Sequence, residues 1–255
     1  MLDLNNYGVD IPKEDLYLIA YIDLLGTKRH IKEQDDNTLF NKIYDSFLAA
    51  SFINHTELFE RYNIQIKIFS DNILIAYPIN NPNLSKFSQE ERIKITFHSM
   101  TFYIKMLSML LMEFSILFRG AITLNQLVIN EIMVWGAGLS EVVDLEEKIA
   151  IFPRVILSNN FINVLRSPDS DEDKFIDEFH FLKDTDGYYY LDYFEYLDPD
   201  KTKETISRLT NEIQLKMETE KSQRVLQKYQ WYLHYLEIAG IKVEKTKRWL
   251  NRRKP

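Results

Sequence analysis

Short apolar runs, separated by polar or turn-forming residues, divide this chain into segments of strand length and helix length. Residues 16–25 have the length and composition of a buried strand, and residues 64–70 and 72–79 predict two more. Between the second and third of these, Ser70-Asp71-Asn72 consists of residue types that favour a tight turn. The pattern therefore predicts one strand that is followed, later in the chain, by a hairpin.

Two longer segments, at 37–62 and 88–113, carry apolar residues at helical spacing. Ser88 and Glu91 provide a capping box for the second helix. The most hydrophobic stretch of the chain, residues 100–118, covers the end of this helix and the start of the next strand. Charged residues interrupt it, so we interpret it as part of the core rather than as a membrane span.

The second half of the chain predicts shorter elements. A hairpin is expected at 115–124 and 127–135, with its turn near Asn125-Gln126. It is followed by a helix at 139–148, a strand at 154–158, a helical turn at 161–165 and a hairpin at 179–183 and 188–194. Hairpins that alternate with helices indicate the α+β class, with an antiparallel sheet, helices on one face and the first strand between later ones.

After Pro199 the chain changes to a charged helical run at 201–236. This change of character predicts a boundary between a compact domain at 1–198 and a C-terminal helical extension at 199–255. We expect the extension either to pack across a dimer or to cover the back of the sheet.

Composition narrows the possible functions. The 255-residue chain has no cysteine, which excludes disulfides, thiolate metal sites and thiol nucleophiles and fits a reducing compartment. Its net charge of −7 argues against general nucleic-acid binding, which needs a basic face. The first residues lack the pattern of a signal peptide. We therefore expect a soluble cytoplasmic protein that binds neither nucleic acid nor membrane directly.

Two aspartates at the ends of apolar runs are the strongest candidates for chemistry. Asp23 ends the first predicted strand, and Asp71 lies in the turn between the second and third. An ionised carboxylate beside a buried strand is costly unless a cation or a hydrogen-bond donor offsets it. Two such carboxylates on adjacent strands form a site for a hard divalent metal, and Mg²⁺ with a nucleotide phosphate is its usual occupant.

Other charged residues leave alternatives open. Arg119 lies inside an apolar strand and needs a partner, which is either a triphosphate or a structural carboxylate such as Glu146. Asp184 and Asp186 lie in the run before Gly187, which favours a hairpin turn over a calcium-binding loop because further ligands are missing. The five histidines show no ligand spacing, and we interpret them as structural.

The segments Tyr21-Ile22-Asp23-Leu24-Leu25-Gly26, Lys67-Ile68-Phe69-Ser70-Asp71 and Trp135-Gly136 together resemble class III nucleotidyl cyclases. Within that superfamily the chain looks most like the bacterial pyrimidine cyclases of Pycsar antiphage systems. The segments that carry this closer resemblance are residues 118–123, 145–154, 186–193 and 228–231. The similarity covers roughly residues 16–235, and the order and spacing of the motifs make it more specific than any one of them.

The resemblance implies a ferredoxin-like class III cyclase fold in residues 1–198 and a homodimer with active sites at the subunit interface. Each site would convert a nucleoside triphosphate into a 3′,5′-cyclic monophosphate and pyrophosphate. By this analogy Asp23 and Asp71 hold two Mg²⁺ or Mn²⁺ ions, with the carbonyl of Ile22 or Leu24 assisting.

The same analogy assigns residues to the nucleotide. Backbone N–H groups of Leu24, Leu25, Gly26 and Thr27 would hold phosphate oxygens, and Gly26 would let the chain approach closely. Lys67 and Met133 fall at the base-reading positions, and these two residues leave uracil, cytosine and purine open.

One departure from the superfamily changes the expected site. The usual Asn and Arg of the helix after Trp-Gly correspond to Ser140 and Asp144, so other cations must meet the transition-state charge. Arg119 and Arg154 are the candidates. Pyrimidine cyclases also lack this Asn/Arg pair, which favours the Pycsar comparison.

We therefore expect a two-metal cyclase that makes cyclic UMP or cyclic CMP from UTP or CTP in antiphage defence. A separate cyclic-nucleotide-responsive effector, often a membrane protein in such operons, would receive the signal. The alternatives are an adenylyl or guanylyl cyclase, a non-catalytic nucleotide- or protein-binding module of the same fold, and a nucleotide oligomerase or phosphodiesterase.

Overall fold

The computed structural model describes residues 13–27, 41–46, 48–49, 62–166, 171–194 and 199–238. The helix predicted at 37–62 lies mostly outside these ranges, and residues 41–46 within it are helical.

Eight strands form one sheet within the described residues. They are β1 (Asp15–Leu24), β2 (Gln65–Phe69), β3 (Asn72–Pro78), β4 (Phe118–Ile129), β5 (Val134–Trp135), β6 (Val155–Leu157), β7 (Phe181–Lys183) and β8 (Tyr189–Leu191). Their order is β2-β3-β1-β4-β6-β8-β7, and β5 pairs with β4. The prediction that the first strand lies between later strands is confirmed, because β3 and β4 flank β1.

Besides the helical residues 41–46 and a short 3-10 helix at Pro82–Leu84, six helices accompany the sheet within the described ranges. They are α1 (Gln89–Met112), α2 (Ala137–Lys148), α3 (Asn159–Leu165), α4 (Glu172–Phe179), α5 (Pro199–Thr219) and α6 (Gln223–Ile238). The predicted capping box of α1 is present: the Ser88 side chain accepts from the N–H of Glu91, and the Glu91 carboxylate accepts from the N–H of Ser88. The fold is α+β, as the sequence predicts.

Helix α1 has the length and composition to cross a membrane, but 56% of its most apolar 18-residue stretch is buried inside the protein. Its buried side chains include Phe97, Met100, Tyr103 and Leu107, all of which belong to the main apolar core. This packing is that of a core helix.

The hairpin predicted with its turn near Asn125-Gln126 is wrong. Strand β4 continues through both residues, which pair with Tyr17 and Leu16 of β1. The polar side chain of Asn125 is satisfied by Glu141 of α2, whose carboxylate accepts its Nδ2 hydrogen at 2.7 Å. The chain reverses instead after Asn130, whose side-chain oxygen accepts the N–H groups of the two residues before Val134.

The sheet is mixed rather than wholly antiparallel. Strands β4 and β6 pair in parallel, from Gly120 opposite Val155 to Ile122 opposite Leu157. Helix α2 lies between these two strands in the chain, and a helical crossover of this kind is what joins parallel neighbours. The predicted hairpin at the other edge is present, since β7 and β8 pair in antiparallel fashion.

The charged run predicted as one helix is two helices, α5 and α6, separated by residues 220–222. Both bury apolar side chains in the core that the sheet and α1 form, among them Leu209, Ile213, Tyr232 and Leu236. The Tyr235 hydroxyl accepts from the N–H of Tyr193 at 2.7 Å and donates to Asp192 at 2.7 Å. The C-terminal helices therefore pack on the core of their own chain.

Arg154, one of the residues expected to bind phosphate, is a buried node that connects α6 to the sheet. Its side chain is 0% exposed and forms ion pairs with Asp184 and Asp186 in the turn between β7 and β8. The guanidinium carbon lies 5.9 Å from the ring centroid of Trp231 on α6, and Trp231 Nε1 donates to Asp184 at 2.8 Å. The two turn aspartates therefore neutralise Arg154.

We predict that Asp184→Asn destabilises the protein more than Asp186→Asn does. The Asp184 side chain is 14% exposed and accepts from both Arg154 and Trp231, whereas that of Asp186 is 40% exposed. Urea unfolding should show a loss of about 2 kcal/mol for the first variant and less than about 1 kcal/mol for the second. Equal losses would contradict this division of roles.

The contribution of Asp186 should also depend on pH. Burial opposes its ionisation, but hydrogen bonds from Arg154 and from the N–H of Tyr188 outweigh burial and hold its pKa below the ordinary value of 3.8. A lowered carboxyl pKa stabilises the folded state above pH 3.8 and ceases to do so as the pH falls through the folded-state pKa. The stability difference between the parent chain and Asp186→Asn should therefore shrink below about pH 4.

Candidate active site

The pairing of β1 with β3 brings the two candidate aspartates together. Asp23 lies opposite Asn72 in the ladder, and the N–H of Leu24 donates to the Asp71 carbonyl at 2.9 Å. Both carboxylates are buried, with 7% of Asp23 and 4% of Asp71 exposed. The end of β1 therefore lies beside the turn after β2, as the sequence predicts.

Thr27 connects the loop after β1 to the second aspartate. Its hydroxyl oxygen lies 3.0 Å from Asp71 Oδ2 and 3.1 Å from the carbonyl oxygen of Leu24. A hydroxyl carries one proton, so it donates to one of these two acceptors at a time. The other Asp71 oxygen accepts from Asn72 Nδ2 at 3.3 Å.

Arg119 holds the first aspartate in place. Its Nε donates to Asp23 Oδ2 at 3.0 Å, and its Nη2 lies 2.6 Å from a carboxylate oxygen of Glu146 on α2. The remaining guanidinium nitrogen donates to the carbonyl oxygens of Glu146 and Ala150. Of the two partners that the sequence left open for Arg119, the structure contains the Glu146 carboxylate, and Asp23 is a second carboxylate partner.

One oxygen of this network is left over. Asp23 Oδ1 is buried and has no hydrogen-bond partner among the described residues. Burial and the negative charges of Glu146, Asp23 and Asp71 raise the pKa of the Tyr21 hydroxyl to about 12. A buried carboxylate oxygen without a donor, in a region of concentrated negative charge, fits a divalent cation.

Two protein carboxylates do not complete the coordination of such an ion. No three His, Cys, Asp or Glu side chains converge on one point within the described ranges. A hard cation takes six or more oxygen ligands, so backbone carbonyls such as the predicted Ile22, water and substrate phosphates would have to supply the rest. The residues present fit a metal that is held jointly with a phosphate.

The loop after β1 offers fewer phosphate donors than the four expected. The N–H of Leu24 is used by Asp71, and the N–H of Leu25 donates to the Leu117 carbonyl at 2.8 Å. These two groups are not available while the sheet is intact, which leaves Gly26 and Thr27 as the loop's candidate donors. Gly26 has φ of +85°, a conformation that other residues adopt at a cost.

Three predicted site residues form no hydrogen bond or ion pair with the two carboxylates. Arg154 is enclosed by its own aspartates, so the expectation that it binds triphosphate is not supported by its position. Lys67 lies on β2, the edge strand of the sheet, and Met133 lies in the turn before β5. Neither side chain forms a hydrogen bond or ion pair with another described residue, so this single chain does not join them to Asp23 and Asp71.

A cleft of about 440 Å³ lies next to the loop after β1 and was not expected from the sequence. Its lining includes Gly26 and Thr27 of this loop together with Lys216 of α5 and Lys228 of α6. The helical pattern of residues 201–236 does not distinguish these lysines from the other charged residues of the run, although residues 228–231 carry part of the family resemblance.

We predict that Glu146→Gln destabilises the protein strongly, whereas the same substitution at the neighbouring Glu147 leaves its stability nearly unchanged. Glu146 is 3% exposed and balances Arg119, so its neutralisation leaves a buried cation with one ionised partner fewer. Chemical unfolding should show a loss of about 3 kcal/mol for Glu146→Gln. The exposed Glu147→Gln is the matched control, with an expected change within about 0.5 kcal/mol. Similar values for the two variants would show that the Arg119 network is not what stabilises this end of the sheet.

Comparison with known proteins supports the fold independently. No protein-family model and no curated protein sequence matches this chain. Among solved structures, the adenylyl cyclase CyaB from P. aeruginosa is 12% identical over 74% of this chain and 100% of its own, with a TM-score of 0.51. The guanylyl cyclase domain of the RhoGC fusion protein from the aquatic fungus Blastocladiella emersonii is 10% identical over 71% and 98% of the two chains, with a TM-score of 0.45. The guanylyl cyclase Cya2 is 10% identical over 70% and 92%, with a TM-score of 0.40.

The match to the adenylyl cyclase covers the whole of that chain, and at 12% identity it demonstrates the fold and leaves the chemistry to the residues. The chain therefore has the α+β fold of class III nucleotidyl cyclases, with a helical C-terminal region packed on its core.

Proposed function

We propose that this protein is a nucleotidyl cyclase whose catalytic carboxylates are Asp23 and Asp71. The observation that carries the proposal is the buried, unpartnered Asp23 Oδ1 beside Asp71 at the end of β1, in a cyclase fold. The reaction forms a bond between the ribose O3′ and the α-phosphorus and breaks the bond from the α-phosphorus to the bridging oxygen. The electron pair leaves with pyrophosphate, and the proton of the 3′-hydroxyl passes to water.

Asp23 and Asp71 would hold Mg²⁺ or Mn²⁺, with the Ile22 carbonyl as a further ligand. When bound, such ions lower the pKa of the ribose hydroxyl and neutralise phosphate charge. The protein residues have separate roles. Arg119 orients Asp23 through its 3.0 Å hydrogen bond, and the Thr27 hydroxyl, 3.0 Å from Asp71 Oδ2, positions Asp71. The N–H groups of Gly26 and Thr27 would bind phosphate oxygens.

The substrate class and the biological role extend the resemblance in sequence. We propose UTP or CTP as the substrate, a homodimer in which Lys67 and Met133 contact the base, and an antiphage signal carried by the cyclic product. The chain has Ser140 and Asp144 in place of the usual Asn and Arg of class III cyclases, which supports a pyrimidine cyclase over an adenylyl or guanylyl cyclase. A separate cyclic-nucleotide-responsive effector would receive the product.

A second candidate is a non-catalytic nucleotide-binding module of the same fold. The ion pairs of the two expected catalytic arginines favour this candidate. Arg119 and Arg154 each pair with two carboxylates of the same chain, so neither charge is left for a transition state. This candidate binds a nucleoside triphosphate without turnover.

We predict that Asp71→Asn and Asp23→Asn each lower the rate of cyclic nucleotide formation at least about 100-fold, because each removes a charged metal ligand. The assay incubates the protein with each of the four ribonucleoside triphosphates and Mn²⁺ or Mg²⁺ and separates the products by mass. Glu90→Gln, an exposed substitution on α1, is the control and should retain full activity.

The four possible substrates also separate the alternatives. Turnover restricted to UTP or CTP supports a pyrimidine cyclase. Turnover of ATP or GTP supports an adenylyl or guanylyl cyclase instead. Binding of a triphosphate without any product favours the non-catalytic module. An active Asp71→Asn variant would refute the assignment of the site.

A further inference from the structure

The cleft beside the loop after β1 brings two lysines of the C-terminal helices to the candidate phosphate donors. Lys216 and Lys228 come from different helices and line the same cleft as Gly26 and Thr27. Its volume of about 440 Å³ is within the range of small-ligand sites. The cleft therefore joins the expected phosphate loop to a part of the chain that carries no predicted site residue.

Lys228 is half-buried, yet it forms no hydrogen bond or ion pair with any residue that the structure describes. Burial lowers the pKa of its ammonium group, and the charges of Arg119 and Arg224 lower it further, whereas Asp23 and Glu146 act in the opposite direction. Because a desolvated cation without a partner costs folding stability, its presence here calls for an anion that is not part of the chain.

The two arginines proposed from the sequence as catalytic cations are already neutralised. Arg119 is bound by Asp23 and Glu146, and Arg154 by its two aspartates. The cleft also contains one carboxylate, Glu220, whose side chain accepts from the N–H of Ser222 at 2.7 Å. The two lysines therefore give the cleft a positive charge next to the N–H groups of Gly26 and Thr27.

The architecture explains why Lys228 faces this cleft. Trp231 lies three residues later on the same helix and is therefore on the same face. It donates to Asp184, which is held in turn by Arg154 at the start of β6. The buried arginine node thus fixes the rotation of α6 that presents Lys228 to the phosphate loop.

We propose that Lys228, together with Lys216, binds the terminal phosphates of the nucleoside triphosphate and the pyrophosphate that leaves. The C-terminal helices are then part of the phosphate site, and their lysines supply the positive charge that Ser140 and Asp144 cannot provide. The nature of the nucleotide rests on the proposed cyclase function, whereas the polyphosphate site does not.

The test measures binding of inorganic tripolyphosphate in the presence of Mg²⁺ by calorimetry, with the full chain and no nucleotide. We expect Lys228→Met to weaken binding tenfold or more and Lys216→Met to weaken it less, because Lys216 is exposed. Lys221→Met, an exposed lysine between the two helices that does not line the cleft, is the matched control and should bind within twofold of the parent chain. Unchanged binding by Lys228→Met, or no binding by the parent chain, overturns the proposal.

Thermal unfolding separates a binding role from a structural one. Removal of a desolvated cation should leave the melting temperature of Lys228→Met equal to or above that of the parent chain, and Lys228→Arg should restore tripolyphosphate binding. A variant that loses both stability and binding, with no rescue by arginine, shows a structural role and overturns the proposal.

Activity measurements distinguish this inference from the proposed function. If no triphosphate is cyclised but Lys228→Met still loses tripolyphosphate binding, the cyclase assignment fails and the polyphosphate site stands. If the parent chain is an active cyclase and Lys228→Met keeps its kcat and KM, the polyphosphate site fails and the cyclase assignment stands.

Discussion

The burial of an ionised carboxylate at the end of β1 is the constraint on which the rest of this structure depends. Asp23 lies between two neighbouring strands with 7% of its surface exposed, and its charge must be balanced within the protein. Arg119 supplies that balance from β4, and Glu146 on α2 holds Arg119 in turn. The close approach of β1 and β4 requires Gly120, where a Cβ atom would overlap the carbonyl oxygen of Tyr21. Sheet, helix and charge network are therefore one unit.

This network leaves one carboxylate oxygen of Asp23 without a donor. A protein that needed Asp23 for stability alone would gain from a second hydrogen bond at that oxygen, since an unsatisfied buried acceptor costs free energy. Lys228 presents the converse case. It is a half-buried cation without an ion-pair partner in the described part of the chain. An uncompensated carboxylate oxygen at the end of β1 and an uncompensated ammonium group in the cleft beside the following loop fit a ligand that brings both cations and phosphates.

Local patterns were sufficient for the elements that position Asp23 and Asp71. The apolar runs of β1 and β3, the turn at Asp71 and the capping box at Ser88 depend on neighbours in sequence, and the structure contains them all. The error at Asn125-Gln126 has the opposite cause, because polar residues of a strand were satisfied by Glu141 of a helix that follows later. Helix α4 was missed because it is short and is stabilised by distant rings, such as that of Phe97 against Phe179.

The site itself was predictable only in part. The two aspartates could be selected as candidates, and their burial side by side expected, because a charge at the end of an apolar run is unusual wherever the chain folds. The roles of the arginines could not, since Arg119 and Arg154 look alike in sequence and differ in which carboxylates the fold brings to them. Residues 228–231 carry part of the family resemblance, but nothing local assigned Lys228 to a phosphate site, because its position depends on how α6 packs against Asp184 and Tyr190.

The central claim is that Asp23 and Asp71 jointly hold divalent cations together with a nucleotide triphosphate. The most direct measurement is a crystal structure with Mn²⁺ and a non-hydrolysable triphosphate analogue, with anomalous data collected at the manganese edge. We expect manganese peaks about 2.0–2.3 Å from carboxylate oxygens of both aspartates, including Asp23 Oδ1, with phosphate oxygens completing the coordination. Bound nucleotide with manganese elsewhere, and Asp23 still without a ligand on Oδ1, would contradict the claim.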